Sequence, residues 1–183
     1  MLPFITKNSL EVGIRLAEIR DLESMQRLNQ KWTVTSLESC NKENGFLFCE
    51  TYKTNDLTKI IKANETAVAM HNDKIIGYYI NDNDSALIER HSHAINELKS
   101  KGIIDRSFNV SKRTQIVVEA AFQKQGIPAA MLTFLQPMLF KRHHLLFSIG
   151  RNDNPKKIAH QKAGWKIVFE NDEIYYCIYD LHQ

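Results

Sequence analysis

Arg113-Thr114-Gln115-Ile116-Val117-Val118-Glu119-Ala120-Ala121-Phe122-Gln123-Lys124-Gln125-Gly126-Ile127-Pro128-Ala129-Ala130 is the stretch on which the reading of this chain turns. The apolar run 115–118 predicts a strand, Gly126 a tight turn, and the apolar-rich segment 129–140 a helix. A strand that turns at glycine into a helix leaves backbone N–H groups without intrahelical partners at the positive end of the helix dipole. Such an end binds phosphate, although glycine serves an ordinary strand-to-helix turn equally well.

Working outward, His144–Gly150 predicts a further strand. It is followed by Arg151-Asn152-Asp153-Asn154-Pro155, a short helix over Pro155–Ala163, and Gly164-Trp165. Together the two stretches resemble the GNAT superfamily of N-acetyltransferases. Its acetyl-CoA turn reads Gln/Arg-x-x-Gly-x-Gly/Ala, and its later motif places an Asn after a strand and a helix ending near Tyr/His-x-Lys-x-Gly-Phe/Trp. The resemblance covers the chain from about residue 12 to the end. Here Gln123 and Gly126 match the turn, and Pro128 stands where the family has Gly or Ala. Proline suits the first turn of a helix but lacks the N–H that a phosphate would take.

Upstream, residues 1–10 read as a loose leader. Glu11–Glu18 reads as a strand and Asp21 as the cap of a helix through Leu22, Met25, Leu28 and Trp32. Thr33–Asn44 reads as loop with a short helix, and Asp56 as the cap of a helix through Leu57, Ile60 and Ile61. Thr66–Met70 and Lys74–Ile80 read as a hairpin, because Asn72 and Asp73 tolerate the positive φ of a two-residue turn. Asn81–Ser111 reads as an insertion carrying a helix over Ala86–Lys101, a connection long enough to be structured. Pro137 predicts a kink or an early end to the helix after Gly126. Trp165–Phe169 and Ile174–Tyr179 close the chain as a last hairpin. The expected fold is α/β (α+β), one domain over 1–183. Its central sheet is mixed and mostly antiparallel, with helices on both faces and a helical insertion between the third and fourth strands.

The 24 basic and 21 acidic residues are dispersed, which argues against a nucleic-acid partner. No apolar run approaches the ~20 residues that span a bilayer, so no membrane partner is expected. Cys40, Cys49 and Cys177 lack paired spacing and read as free thiols. Those features and the unremarkable N-terminus predict a cytoplasmic protein. No Walker loop or Gly-x-Ser-x-Gly elbow occurs, and His91-Ser92-His93 and His143-His144 lack the further ligands a metal site needs, so no metal is expected.

The resemblance implies acetyl-CoA as acyl donor, a small-molecule or peptide amine as acceptor, direct attack in a ternary complex, and a possible homodimer. It carries cofactor contacts onto Val118, Gln123, Lys124, Gln125, Gly126, Ala129 and Ala130, and onto Asn154 after a one-residue shift from Asp153. Glu119, at the strand end, is the candidate base, with a solvated carboxylate as its plain alternative. His91, His93, Glu89 and Glu50 are further candidates. His160 falls at the family's acid tyrosine, with a surface or hydrogen-bonded histidine as the alternative. A non-catalytic module binding acyl-CoA or a protein is the second reading of the whole chain. A structural or interaction domain without CoA affinity is the third.

Overall fold

The computed structural model describes residues 1–37, 42–43, 45–47, 52–85 and 88–182. Its elements are β1 (Leu2–Ile5), β2 (Glu11–Leu16), α1 (Leu22–Trp32), α2 (Thr54–Lys62), β3 (Thr66–His71), β4 (Lys74–Asn81), α3 (Glu89–Ser100), β5 (Val110–Val118), α4 (Ile127–Leu139), β6 (Leu145–Arg151), α5 (Lys157–Lys162), β7 (Lys166–Glu170) and β8 (Ile174–Asp180). The strands form one sheet in the order β1-β2-β3-β4-β5-β6-β8-β7. Every pairing is antiparallel except β5 with β6.

The expected mixed, mostly antiparallel sheet with helices on both faces is present. Because side chains alternate across a strand, Ala67, Ala69, Val118, Leu146, Tyr175 and Cys177 face α4 and its apolar residues Ile127, Met131, Leu135 and Leu139. Val68, Tyr78, Ile80 and Val117 face the other way, onto Met25 and Leu28 of α1 and Leu57, Ile60 and Ile61 of α2. On that same face, further along the sheet, Leu145 and Phe147 pack on Ala94, Ile95 and Leu98 of α3. Among the described residues no helix is long and apolar enough to cross a membrane.

The β3–β4 hairpin turns through Asn72 at φ 47° and Asp73 at φ 59°, the two positive angles expected from those residue types. Several expectations are corrected. Residues 1–10 are not a loose leader: β1 pairs with β2 from Leu2↔Ile14 to Ile5↔Glu11, and Phe4 packs on the α4-side core. Asp21 stands at the N-cap position of α1, but its side chain makes no capping hydrogen bond there. A bidentate pair with Arg15 at 2.6 and 2.8 Å and the Glu18 N–H at 2.8 Å occupy its carboxylate, which closes the preceding 3-10 turn (Ile19–Asp21) instead. α2 begins two residues ahead of Asp56, at Thr54. Helix α4 runs through Pro137 and ends two residues later. Strand β5 starts at Val110, five residues before the apolar run, so the expected insertion ends in a strand. Residues 86–87, at the start of the helix expected there, lie outside the described residues, as do Cys40, Cys49 and Glu50.

Two irregularities in the sheet shape the cavity side of the molecule. Along the β4–β5 ladder Ile80 pairs with Gln115 but Asn81 pairs with Arg113, leaving Thr114 as the extra residue of a bulge. Gln115 therefore points to the α1 face, where Asn29 donates to it at 2.6 Å and Tyr78 at 2.9 Å, while Arg113 points to the α4 face. Second, β5 and β6 pair only at Val110↔Leu145, Ser111↔Leu146 and Lys112↔Phe147. Beyond that point β5 stays on β4 and β6 stays on β8, so the sheet opens as a fork.

Candidate active site

The fork is the mouth of a cavity of about 720 Å³. Arg113, Thr114, Ile116, Val117 and Val118 of β5 form one wall, and Ser148, Ile149, Gly150 and Arg151 of β6 the other. Trp32, Tyr79 and His91 also contribute to its lining, as do Leu132, His160 and Trp165.

At the end of β5 a 3-10 turn (Ala120–Phe122) leads to Gly126, which caps α4 at φ 86° and ψ 0°. The first intrahelical bond runs from the Ala130 N–H to the Gly126 carbonyl at 3.1 Å, so the earlier amides point out of the helix end. Lys124 and Lys156 stand beside this end on the cavity wall, and neither has a carboxylate partner among the described residues. The Lys156 ammonium donates to Gln123 Oε1 at 3.1 Å, and burial followed by the nearby Lys124 charge lowers its pKa. An amide-lined helix end flanked by two unpaired cations is built for an anion.

Deeper in the cavity His160 sits between Arg113 Nη1, 3.0 Å from Nε2, and the Tyr175 hydroxyl, 2.9 Å from Nδ1. Burial first, then the Arg113 and Lys156 charges, holds its pKa well below 6.5, so the ring is neutral. A guanidinium can only donate, which makes Nε2 the acceptor and puts the proton on Nδ1, where it is donated to Tyr175. The phenol proton of Tyr175 is thereby left for an acceptor of its own. Burial pushes the Tyr175 phenol up to about 12, so it keeps that proton at neutral pH. Gly150, opposite Tyr175 in the β6–β8 ladder, makes room for the ring. A Cβ at Gly150 would lie 2.6 Å from Tyr175 Cε1 and closer still to Cζ and Oη.

No family model matches the sequence, and no curated protein matches it. Solved structures do match. An acetyltransferase of the GNAT family from Listeria monocytogenes superposes with a TM-score of 0.68 at 12% identity, covering 98% of this chain and 99% of that one. The PaiA N-acetyltransferase of Thermoplasma acidophilum, in complex with coenzyme A, gives 0.64 at 13% identity over 92% and 98%. The YncA protein of Salmonella typhimurium, a putative acetyltransferase with acetyl-CoA, gives 0.60 at 13% over 93% and 94%. This chain has the GNAT fold.

Within the GNAT fold the structure separates the residues singled out from sequence. Val118, Gln123, Lys124, Gly126, Ala129, Asn154 and His160 line the cavity, but Gln125, Ala130 and Glu119 do not. Gln125 accepts from the Asn8 N–H at 3.1 Å, tying the N-terminal loop to the turn. The Ala130 amide is committed to Gly126. Glu119 is turned to Lys31 of α1, 2.5 Å away. Gln123 donates to the Val118 carbonyl at 3.1 Å as well as accepting from Lys156. Asn154 spends both ends of its amide on the chain itself, donating to the Phe46 carbonyl at 2.9 Å and accepting from the Lys156 N–H at 3.0 Å. It pins residues 45–47 to the cavity rim.

Of the further candidates, Glu89 and His91 are on the wall and His93 is exposed on α3 away from it. His143 pairs with Glu65 at 2.9 Å, and His144 stacks on Phe108 and accepts from the Asn109 N–H. The sequence reading missed Arg113, Tyr175 and Lys156. A charged residue among buried strand positions, Arg113, was the one visible signal.

His91 is buried against Phe147, and burial, then the Arg113 charge, brings its pKa down to about 4. Its unfolded value is near 6.5. The unfolded chain therefore binds the extra proton first, and the stability this neutral ring contributes is full above pH 6.5 and drains away as pH falls toward 4. At pH 5 the loss from His91 alone is about 2 kcal/mol, and His160 adds to it. Urea unfolding from pH 7 to pH 5 should show this slope, and His91→Gln should flatten it. An unchanged slope in the variant would remove His91 as its source.

Proposed function

We propose that the protein transfers an acetyl group from acetyl-CoA to a primary amine of a small molecule or peptide, by direct attack with both substrates bound. One observation carries this reading: the forked cavity opens beside a helix end whose outward amides stand near two lysines that have no carboxylate partner among the described residues. The amides of Gly126, Ile127 and Ala129 with Lys124 and Lys156 suit the pyrophosphate. The fork between β5 and β6 suits an extended arm. Pro128 has no N–H to offer, and its place in the first helical turn leaves those other donors in position.

Acetyl-CoA supplies an acyl carbon activated as a thioester. The amine nitrogen forms its bond to that carbon and the C–S bond breaks with its electron pair on sulfur; of the two protons an ammonium nitrogen gives up, one leaves before the attack and the other afterwards, the latter passing through water to the departing thiolate. An amine with a lysine-like pKa arrives protonated. Glu89 is the carboxylate that lines the cavity among the described residues, and in this reading it takes that proton and passes it to water. Tyr175 donates a hydrogen bond to the sulfur as charge gathers there. A phenol near 12 does not surrender its proton fully to a thiolate whose thiol titrates near 8.5.

Calorimetric titration with acetyl-CoA and with free CoA tests the reading. Dissociation constants between about 1 µM and 1 mM are expected, the range of ordinary substrate affinities, with thiol release once an acceptor amine is present. No binding of either at millimolar concentration would overturn it. Binding without thiol release across a broad amine panel would favour an acyl-CoA-binding module.

A further inference from the structure

Arg113 is a buried cation without a counter-charge among the described residues. It is 4% exposed. Among the described residues no carboxylate lies within ion-pair distance of it, and its Nε has no hydrogen-bond partner. What it has is the neutral His160 ring on Nη1, the face of Trp165 4.4 Å from its central carbon, and the Cys177 thiol. A guanidinium cannot shed its charge on burial, and its five N–H donors are satisfied best by a carboxylate held in a fork-to-fork pair. Arg15 shows how this chain treats a structural arginine, pairing it with both oxygens of Asp21. Arg113 is handled differently, and the Thr114 bulge is what turns it onto the cavity side.

The surroundings of Arg113 point the same way. Three more buried polar atoms without partners among the described residues, Trp32 Nε1, Tyr79 Oη and His91 Nδ1, belong to side chains that line the same cavity. Arg113 lies one residue past the last β5–β6 bridge, at the closed end of the fork. The helix end with Lys124 lies beyond Val118, five strand residues on from Arg113 at about 3.3 Å each, and Lys156 bridges the interval, reaching Gln123 while its charge still acts on His160. The cavity thus has two cationic stations, and phosphates held at one leave the other unanswered.

We propose that Arg113 binds a carboxylate of the reacting molecule, so that this protein acts on a carboxylate-bearing substrate. The carboxylate belongs either to the far end of a dicarboxylic acyl group on the donor or to an amino-acid-like acceptor. This rests on the acyl-CoA reading above and goes beyond it by naming the chemical class of the group transferred or received. Arg113 then determines specificity, with His160 and Trp165 holding its plane.

The test uses the full chain and has two arms. In the first, succinyl-CoA and butyryl-CoA, which match in chain length and differ by the terminal carboxylate, are titrated into the wild type and into Arg113→Gln. In the second, thiol release from acetyl-CoA is measured with the twenty amino acids and with their amides. Charge-assisted pairing predicts at least a roughly tenfold preference for the carboxylate form in one arm. A preference in the first arm assigns the donor, and in the second the acceptor. Arg113→Gln should abolish it while leaving binding of free CoA within about twofold. The wild-type ratios decide the matter even if the variant does not fold. Binding of CoA with no carboxylate preference in either arm overturns this proposal alone, whereas no binding of any CoA overturns it together with the acyl-transfer reading. An equal loss with neutral and charged substrates in Arg113→Gln would also overturn it, as the mark of a positioning role.

Discussion

Tyr175→Phe is expected to slow thiol release from acetyl-CoA by about 10²-fold, the usual cost of removing one preorganised donor from a developing charge, and to leave the affinity for free CoA unchanged. The reason is the direction of the proton chain. Arg113 donates to His160, His160 donates to Tyr175, and the Tyr175 phenol proton is what that chain leaves to be given into the cavity. The phenol is 1% exposed, so its ring is held by packing, and the phenylalanine fits the same space. Loss of the hydroxyl should therefore appear in kcat and not in binding. The rate should also lack a tyrosine ionisation below pH 10, because burial has pushed that group up to about 12. Gly150→Ala offers a check that leaves the hydroxyl intact: its methyl displaces the ring, so it should reproduce much of the kinetic loss and cost about 1–3 kcal/mol of stability through overpacking. A Tyr175→Phe enzyme as fast as the wild type would remove Tyr175 from the reaction.

That Tyr175 escaped the sequence reading has a physical explanation. A tyrosine in an alternating strand reads as a packing residue, and nothing local distinguishes Tyr175 from Tyr176, which stacks on Phe169. The distinction lies across the ladder, in a glycine at position 150 and a histidine on α5. Arg113 was hidden for a similar reason: its side depends on a bulge whose register is set by β4, thirty residues earlier. Strand β1 was hidden because Leu2 and Ile5 are exposed at a sheet edge and carry no buried pattern, so backbone pairing is what makes the strand. Where a backbone angle or a long apolar period carries the signal, the reading held, whereas the cap readings at Asp21 and Asp56 did not, because a side chain's partner is not fixed by its position. Asn72-Asp73 dictated a turn, Gly126 sits at positive φ before a helix, and the long periodic segments became α1 and α4. Glu119 fails as a cavity residue because a strand end constrains a backbone and not a side chain, and Lys31, 88 residues away, takes its carboxylate. The fold is thus written largely in short-range pattern, while the site depends on which residues meet across strands.

Gly126→Val should weaken binding of CoA and of acetyl-CoA by at least tenfold while the protein remains folded. At φ 86° a residue with a Cβ carries about 1–2 kcal/mol of strain, and a β-branched one more. A Cβ there would already be 3.4 Å from Phe4 Cζ, so valine methyls press on β1. The turn can relieve both stresses only by rotating, which takes the amides ahead of Ala130 away from the spot they share with Lys124 and Lys156. Strain alone corresponds to roughly a tenfold change at about 1.4 kcal/mol per decade, and loss of the aligned amides adds to it. Gly102→Ala separates the two contributions. Gly102 also has positive φ, at 70°, but a Cβ there meets nothing within 4 Å, and the residue lies at the end of α3, outside the cavity wall. It should cost comparable backbone strain and leave CoA affinity untouched. If Gly126→Val binds CoA as the wild type does, the anion is held elsewhere and the helix end is only a turn. If both variants lose affinity alike, general destabilisation accounts for the effect. A loss confined to Gly126 ties the affinity to the left-handed turn at that residue, and so ties the cofactor to the same backbone that starts α4.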